Sequence, residues 1–355
     1  MRDVFEYDIE VRRYSDFPWV FMMSQGVAEL QHFSPRVRST PWITVVISTR
    51  DRGDTVCQAI ETLLLNDYPH FDLIVVDQSE NSATSESVTP FLDDPRLRYF
   101  KTFSRGVSIG RNFGIARTQS EIVAITDDDC QIPENWLREI AKAFEVDNRI
   151  GIVFGNVVPG TFDQGAGFVP AYIREKPFLA RRLRDKLEVE GISACMALRR
   201  SVWESLGGFD RMLGVGAPLK SAAESDFLLR ALLRGYYAYE TPAVTLIHTG
   251  FRTWEQGRSV IQRYWYGSGA MLVKNIRCGH WGVIAILIRL GWRWVFGQSR
   301  VGASLGNRPE RMLRLKSFVK GFLAGARVPV DRAKGHFVDR NSDTAEAVAG
   351  SKEAA

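Results

Sequence analysis

The sequence predicts an α/β protein with a doubly wound, mainly parallel sheet and a helical, basic and amphipathic C-terminal extension. Short apolar runs typical of buried strands alternate with helical patterns after Pro41. One such run leads directly into the acids Asp127, Asp128 and Asp129. Because the carboxyl ends of parallel strands line the crevice that binds ligands, these acids mark the predicted functional edge of the sheet.

Strands and helices alternate in βαβαβ order along the first part of the chain. Asp54 is a suitable N-cap for a helix with one apolar face, and the turn at residues 66–69 ends that helix. The predicted strands are residues 43–48, 73–77, 97–100 and 122–126, and the further predicted helices are residues 86–92, 108–118 and a segment after Pro133.

Three glycines, Gly106, Gly110 and Gly114, recur every four residues around the predicted helix 108–118. A dinucleotide-binding fingerprint needs a different spacing. One glycine in each turn leaves a helix face without side chains, which predicts close packing of this helix on its neighbours.

The composition is that of a globular protein with a sizeable core, at 355 residues, 45% apolar and 25% charged. The first twenty residues lack the charged start and long apolar core of a signal peptide. Four cysteines are far apart in the sequence and form no CxxC or Cys/His cluster, which argues against structural zinc and predicts free thiols in a reducing compartment: Cys57, Cys130, Cys195 and Cys278.

Positive charge is concentrated in one region. Residues 1–250 carry a net charge of about −6, whereas residues 251–334 contain sixteen Lys or Arg against three acids. The same region contains five tryptophans and an apolar run at 283–290. This combination suits a membrane surface better than nucleic acid.

Two basic amphipathic helices are predicted in this region, at residues 281–296 and 311–323. Two internal arginines make the first helix marginal for spanning a bilayer. We expect the region to lie on an anionic membrane surface, and the alternative is a soluble helical cap with a solvated charged face. The basic residues expected to face lipid are Arg289, Arg293, Arg311 and Arg314.

The three consecutive acids predict a divalent metal site. Clustered carboxylates repel one another unless a cation joins them, and oxygen ligands favour Mg²⁺ or Mn²⁺, which also take substrate phosphates. The inferred ligand is therefore a metal-bound phosphorylated compound. The alternative is an acidic turn that only suits the N-terminus of the following helix.

Several motifs, in this order, resemble those of the family 2 glycosyltransferases, which have the GT-A fold and transfer a sugar from a nucleotide donor with inversion. They span about residues 42–250 and read VVISTRDR, LIVVDQS, GVSIGRNFGIARTQSEIVAITDDDC, ACMALRRSVWESLGGFD, AAESDFLLRALLRGY and VTLIHTG. Each motif is weak alone, whereas the ordered set is specific.

Four parts of the chain are expected. Residues 1–40, before the alternation of strands and helices begins, would be an N-terminal extension. The resemblance implies a catalytic domain at residues 41–250, with a nucleotide-binding half at 41–130 and an acceptor half at 131–250. The basic helical region, residues 251–334, and a disordered tail, residues 335–355, would follow.

The resemblance also implies contacts with the nucleotide. Asp77 would contact the donor base, Thr49 and Arg50 would lie along the nucleotide, and Arg111 would lie near its ribose or diphosphate. Thr49, Arg50 and Arg111 are also residue types with common structural roles, as a strand residue and as partners of surface carboxylates.

Asp127 and Asp129 match the outer acids of the family's DxD element. Asp129 is the expected direct metal ligand. Asp127 would bind the metal as well, or orient the ribose or a metal-bound water, and Asp128 would contact the nucleotide sugar or cap the following helix. His248 follows a predicted strand and would complete the metal coordination or contact a phosphate, a structural histidine being the alternative. Basic residues that would clamp the diphosphate, or face lipid instead, are Arg252, Arg258 and Arg263.

Inversion in a single displacement needs a base that takes the proton of the acceptor hydroxyl. Aligning Asp226 with the last acid of the family motif puts Glu224 at the base position. The chain departs from the motif, because Ala223 replaces its first acid and Glu224 replaces an Asp. We expect Glu224 to be the base and keep Asp226 as the alternative, since acids in a first helical turn also suit the helix dipole.

These patterns together predict an inverting, metal-dependent glycosyltransferase of polysaccharide biosynthesis. The expected donor is a nucleoside-diphosphate sugar, with UDP as the expected nucleotide, and the expected acceptor is a glycan or lipid-linked compound. The protein is expected to be cytoplasmic, peripheral on the inner face of the cell membrane, and without a nucleic-acid partner.

Two alternatives remain at this stage. A nucleotidyltransferase would show a Gly-rich phosphate loop after the first strand, where only Gly53 stands. A non-catalytic, membrane-associated binding module would not need Asp127, Asp129 and Glu224.

Overall fold

A nine-stranded sheet forms the centre of the protein, for which a computed structural model describes residues 40–296 and 309–339. Its first half has the order β3-β2-β1-β4, and all of these strands are parallel. They are β1 (Ile43–Thr49), β2 (Phe71–Asp77), β3 (Leu97–Lys101) and β4 (Ile122–Thr126), which confirms the four predicted strands.

The second half of the sheet is mixed. Its strands are β5 (Cys130–Gln131), β6 (Ile150–Pro159), β8 (Phe178–Ala180), β9 (Met196–Arg199) and β10 (Tyr237–His248), while β7 (Gly167–Phe168) pairs outside the sheet with β11 (Arg252–Thr253). β9 joins the halves by antiparallel pairing with β4 and β6, and β6 runs parallel to β10. β5 and β8 are antiparallel partners of β10.

Helices cover both faces of the sheet, as predicted for a doubly wound fold. Val45 and Ile47 of β1 pack with apolar residues of two helices on one face, and Val46 packs in the cluster on the other face. This alternation follows from the two-residue period of a strand. The helices are α1 (Gly53–Leu64), α2 (Ala83–Val88), α3 (Val107–Ile115), α4 (Trp136–Glu145), α5 (Arg200–Leu206) and α6 (Ala223–Leu233).

Helix α3 packs closely on the sheet at its glycines, as predicted. A Cβ at Gly114 would lie 2.6 Å from Cγ1 of Val46, and one at Gly110 would collide with Ser48. The prediction for α1 is wrong in one detail: Asp54 lies in the first turn, after an N-cap at Arg52 that makes no side-chain capping bond.

Three helices follow the sheet: α7 (Trp254–Arg277), α8 (Val283–Phe296) and α9 (Pro309–Arg327). The last two agree with the helices predicted at 281–296 and 311–323, whereas the full length of α7 was not predicted. A hairpin, β12 (Val330–Asp331) and β13 (His336–Phe337), follows α9. Buried residues of α6, α7, α8 and α9 share one hydrophobic cluster: Leu229, Trp265, Met271, Val283 and Phe318.

The described residues lie in one compact unit that continues across the predicted boundary at residue 250. The division into functional parts stays a prediction. The predicted extension, apart from Thr40, and the predicted tail from residue 340 lie outside the described residues. Within the described part of the chain, no helix combines the length and apolarity needed to cross a bilayer.

Candidate active site

The three acids lie in the turn between β4 and β5, at the carboxyl edge of the parallel strands. Asp128 accepts hydrogen bonds from Oγ1 of Thr49 at 2.6 Å and from Nη1 of Arg52 at 2.8 Å. The prediction that Asp128 caps α4 is therefore wrong, because donors from the end of β1 occupy its carboxylate. Burial raises the pKa of Asp128 above its ordinary value, although Arg52 and Thr49 oppose the shift.

Three basic side chains surround Asp129. Its Oδ1 lies 3.0 Å from Nε2 of His248, and its Oδ2 accepts from Arg52 at 2.8 Å and lies 3.6 Å from Arg252. Burial alone would raise the pKa of Asp129, but the His248 bond and the charges of His248, Arg52 and Arg252 lower it to about 2. Asp129 is therefore an anion at any physiological pH.

His248 reaches Asp129 because β10 pairs with β5, which places His248 opposite Cys130. Its Nδ1 lies 2.9 Å from the carbonyl oxygen of Pro170 and must donate a proton there. In the neutral ring, Nε2 then has a lone pair facing the carboxylate of Asp129, so a proton or a cation is needed between them. Burial would lower the pKa of His248, but Asp129 and the Pro170 carbonyl raise it.

The pair fits a divalent metal. Two neighbouring ligands of an octahedral Mg²⁺ or Mn²⁺, each about 2.1 Å from the ion, are about 3 Å apart, and Asp129 Oδ1 and His248 Nε2 are separated by 3.0 Å. The carboxylate of Asp129 is a ligand type that suits Mg²⁺ or Mn²⁺.

Cys130 joins this cluster, which the sequence did not reveal because Cys130 and His248 are far apart along the chain. Ligand atoms of Asp129, Cys130 and His248 all lie within 4.8 Å of one another. The thiol is buried, and burial raises the pKa of Cys130 well above its ordinary value. A protonated thiol is a weak ligand, so Asp129 and His248 remain the better candidates.

Asp127 is the most accessible of the three acids, with 37% of its side chain exposed. Its Oδ1 accepts from Nη2 of Arg111 at 3.0 Å, and the same nitrogen donates to Oγ of Ser193 at 3.0 Å. Arg111 is itself buried. The guanidinium therefore links the acidic turn to the segment before β9.

Asp77 and Arg50 end neighbouring strands, as predicted, and their contacts with the nucleotide stay predictions. Asp77 is fully buried; its Oδ1 accepts from the amide of Ser79 at 2.8 Å and its Oδ2 from the hydroxyl of Tyr99 at 2.6 Å. Arg50 is exposed and lies 3.7 Å from Glu80. Of the two, only Arg50 has an accessible side chain.

Glu224, in the first turn of α6, lines a cavity of about 130 Å³. The other lining residues include Phe154, Tyr172, Glu190, Ile192 and Tyr264. Two short segments connect this cavity to the acidic turn. Ile192 of the cavity wall precedes Ser193, which accepts a hydrogen bond from Arg111, the partner of Asp127. Tyr172 lies two residues after Pro170, whose carbonyl binds His248, the partner of Asp129. The predicted base thus lines a cavity whose walls are connected to the acidic turn through Ser193 and Pro170.

Asp226, the alternative base, lies in a different environment. It is fully buried and binds Nε of Arg230 at 2.8 Å and Nζ of Lys274 at 2.7 Å. Burial would raise the pKa of Asp226, but Lys274 and Arg230 lower it to about 2. A carboxylate enclosed by two cations is a poor proton acceptor and has no path to an acceptor hydroxyl. Its role as base stays a prediction that these contacts disfavour.

Several site residues were missed by the sequence analysis. Arg52 forms ion pairs with both Asp128 and Asp129. The only sequence signal for this role was its position just after β1. Gly250 must be a glycine because a Cβ there would collide with the carboxylate of Asp129. Arg252 approaches Asp129 as described, whereas Arg258 and Arg263 are exposed on α7 and have no described contact with the acids.

The architecture is similar to that of GT-A glycosyltransferases. A mannosyltransferase from Pyrobaculum calidifontis, solved with GDP-Man and Mn²⁺, is similar with a TM-score of 0.53 at 18% identity over 81% of this chain and 87% of that chain. TarS of S. aureus, solved with UDP-GlcNAc, is similar with a TM-score of 0.56 at 17% identity over 79% of this chain and 81% of that chain. At these identities the similarity shows the fold alone.

The sequence also matches a family. Residues 44–207, a little under half of the chain, match Glycosyl transferase family 2. The O-antigen biosynthesis protein RfbC of Myxococcus xanthus is 25% identical over 60% of this chain and 18% of RfbC, and the succinoglycan biosynthesis protein ExoO of Rhizobium meliloti is 31% identical over 31% of this chain and 32% of ExoO. The chain thus spans a third or less of the length of these curated relatives.

Proposed function

We propose that the protein transfers a sugar from a nucleoside-diphosphate donor to an acceptor hydroxyl, with inversion at the anomeric carbon. The observation that carries this proposal is the pairing of Asp129 with His248 beside a cavity lined by Glu224. One part can hold the leaving diphosphate, and the other can take the acceptor proton. An inverting displacement needs these two functions on opposite sides of the reacting carbon.

The donor side is formed by the ends of β1, β2 and β4. Arg50 is exposed there, and Asp127 has an accessible carboxylate held by Arg111. In the proposed complex, Arg50 and Arg52 face the diphosphate and Asp127 binds the ribose. A UDP-sugar is the proposed donor; the solved relatives hold GDP-Man in one case and UDP-GlcNAc in another.

Asp129 and His248 are the proposed metal ligands, with Asp127 as a second acid near them. A divalent ion held there would supply positive charge beside the diphosphate as the glycosidic bond breaks. Contacts within the protein hold both ligands in place. The carbonyl of Pro170 orients the imidazole of His248, and Arg52 orients the carboxylate of Asp129. Arg252 adds a further cation within 3.6 Å of Asp129.

Glu224 is the proposed general base. The acceptor hydroxyl binds in the cavity, its proton passes to the carboxylate of Glu224, and its oxygen attacks the anomeric carbon. Tyr172 and Tyr264 line the same cavity and offer flat faces to a sugar ring.

The proposed acceptor is a glycan or a lipid-linked compound, and the proposed location is the inner face of the cell membrane. Support for the pathway comes from relatives whose names refer to O-antigen and succinoglycan biosynthesis. Support for the location comes from the basic, tryptophan-rich region after residue 250.

A donor screen tests the reaction. Purified full-length protein is incubated with a panel of nucleotide sugars and Mn²⁺ or Mg²⁺, and release of nucleoside diphosphate and thermal stabilisation are measured. One donor is expected to give both signals. Asp129→Ala is expected to lose the metal-dependent part of both, and the exposed control Asp93→Asn is expected to keep it. Full activity of Asp129→Ala with an unchanged metal requirement would refute the metal assignment.

A further inference from the structure

Two exposed apolar stripes lie on the helices that follow the catalytic part. The first, the α8 stripe, consists of Trp281 in the turn before α8 and of Ile284, Ile288 and Trp292 within it. The second, the α9 stripe, consists of Met312, Leu315, Val319 and Leu323. Trp281 and Trp292 are 69% and 65% exposed, although large aromatic side chains dominate the buried cores of most proteins.

Both stripes have the same spacing, three, four and four residues. At about 100° per residue, four residues with this spacing lie within about 80° of one another on a helix. The opposite face of each helix packs into the protein, through Val283 and Ile286 on α8 and through Phe318 on α9. Each helix is therefore apolar on its outer face as well, where a soluble helical cap would be polar.

Basic side chains border the stripes. Arg289 is exposed on α8, and Lys316, Lys320 and Arg327 are exposed on α9. By the same angular arithmetic these residues lie on one side of the stripes, about 40° to 80° from their first residue. The sequence of α8 contains no acid. Arg314, which was expected to face lipid, is instead buried, and the side chain of Arg293 lies outside those described.

We infer that these two stripes insert into the interfacial layer of an anionic lipid bilayer, with the bordering basic residues at the phosphate groups. The charge pattern favours lipid over a protein partner, because protein interfaces are depleted of Lys whereas anionic membranes attract it. Apolar, aromatic and basic residues at these positions are typical of helices that lie in the membrane interface. The absence of a spanning helix among the described residues agrees with attachment along the surface.

This inference rests on the proposed function in one respect, since the attachment would hold the crevice near a lipid-linked acceptor. It also makes the expectation from sequence specific, because it names the exposed apolar stripes as the part that inserts. Removal of the stripes should therefore weaken binding to every anionic vesicle even at low salt.

Vesicle sedimentation tests the surface. Full-length protein is mixed with vesicles of phosphatidylglycerol and phosphatidylcholine, or of phosphatidylcholine alone, without donor. Binding is expected mainly to the anionic vesicles. The triple variant Trp281→Ser, Ile288→Ser and Trp292→Ser should bind at least tenfold more weakly. A matched control with three exposed apolar residues changed elsewhere should bind within twofold of wild type: Leu65→Ser, Leu92→Ser and Val146→Ser.

A second variant measures how much the basic residues contribute to vesicle binding. Changing Arg289, Lys316 and Lys320 to Gln should weaken binding by about fivefold for each residue, because one basic residue near an anionic surface contributes about 1 kcal/mol. The same changes should leave binding to neutral vesicles unaltered. A loss that is equal on both vesicle types would contradict the proposed arrangement.

Fluorescence tests insertion and remains informative if the triple variant fails to fold. Brominated lipids should quench tryptophan emission on binding, and Trp281→Phe with Trp292→Phe should remove most of that quenching while preserving binding. Absence of vesicle binding overturns the inference, as does binding without quenching. Lipid-independent dimerisation that disappears in the triple variant would assign the surface to a second copy of the chain instead. Sugar transfer without vesicle binding would refute only this inference. Vesicle binding without sugar transfer would refute only the proposed function.

Discussion

Lys274→Met tests whether a buried ion cluster supports the helix that carries Glu224. Nζ of Lys274 lies 2.8 Å from Oδ2 of Asp210 and 2.7 Å from Oδ1 of Asp226, and all three side chains are fully buried. Lys274 belongs to α7, whereas Asp226 is two residues after Glu224 on α6. The cluster thus joins the C-terminal region to the proposed base.

The expected loss follows from burial. Removing one partner of a buried ion pair leaves an uncompensated charge and costs about 3–5 kcal/mol. Lys274→Met preserves most of the side-chain volume and should therefore lower the free energy of unfolding by about this amount. Lys142→Met is the matched control, because Lys142 lies at the same 2.8 Å from Glu139 but is 58% exposed. It should cost less than about 1 kcal/mol.

Urea unfolding at neutral pH measures both variants. The double variant Lys274→Met with Asp210→Asn should recover part of the loss, since Arg230 then balances the remaining charge of Asp226. Equal midpoints for Lys274→Met and Lys142→Met would refute the reasoning.

The ionised carboxylate of Asp226 also affects how the stability of the wild-type protein falls at acid pH. Its pKa is lowered to about 2 in the folded state, since Lys274 and Arg230 outweigh the opposing effect of burial. A carboxyl with a lowered folded pKa stabilises the protein above its unfolded pKa of about 4, and this contribution is lost as the pH falls toward the folded value. Lys274→Met should therefore begin to unfold at a higher pH than the wild type during acid titration.

Three further predictions concern the site and the hairpin. Glu224→Gln should keep donor affinity in calorimetry but lower turnover by a factor on the order of a hundred; if Asp226→Asn shows this pattern and Glu224→Gln does not, the base is two residues further on. Gly250→Ala should reduce the Mn²⁺-dependent rise in Tm because its Cβ collides with Asp129, whereas Gly291→Ala, with open space around it, should not. Burial, with Arg230 next, lowers the pKa of His336 to about 4, so wild-type stability should fall between about pH 6.5 and pH 4 as the unfolded chain gains the proton. His336→Gln should flatten that part of the urea-midpoint profile, and an unchanged slope would contradict this assignment.

The strand ends that form the proposed donor side were predictable from the sequence. Apolar runs at β1, β2 and β4 are each followed by polar residues, and parallel strands bring such ends to one edge. The glycines of α3 predicted its close approach to β1 for a similarly local reason, since a Cβ at Gly114 has no room. The family was predictable as well, and its match to residues 44–207 confirms it.

The partners of individual side chains were not predictable. Asp128 had the local pattern of a helix cap, but Thr49 and Arg52 of a neighbouring strand end hold it instead. Asp226 had the pattern of an accessible acid near a helix N-terminus, but Lys274 from α7 encloses it. In both cases a residue distant in sequence supplies a stronger hydrogen bond than the local backbone offers.

Sequence by itself determined which elements form and which chemical groups lie at the sheet edge, because propensity, apolar period and turn residues act over a few neighbouring positions. Tertiary structure alone decided which groups meet. The antiparallel pairing of β5 with β10 brought His248 to Asp129 across more than a hundred residues of chain, and packing of α7 on α6 decided that Asp226 is buried while Glu224 faces a cavity. Burial and long-range pairing depend on the whole fold, so no local pattern specifies them.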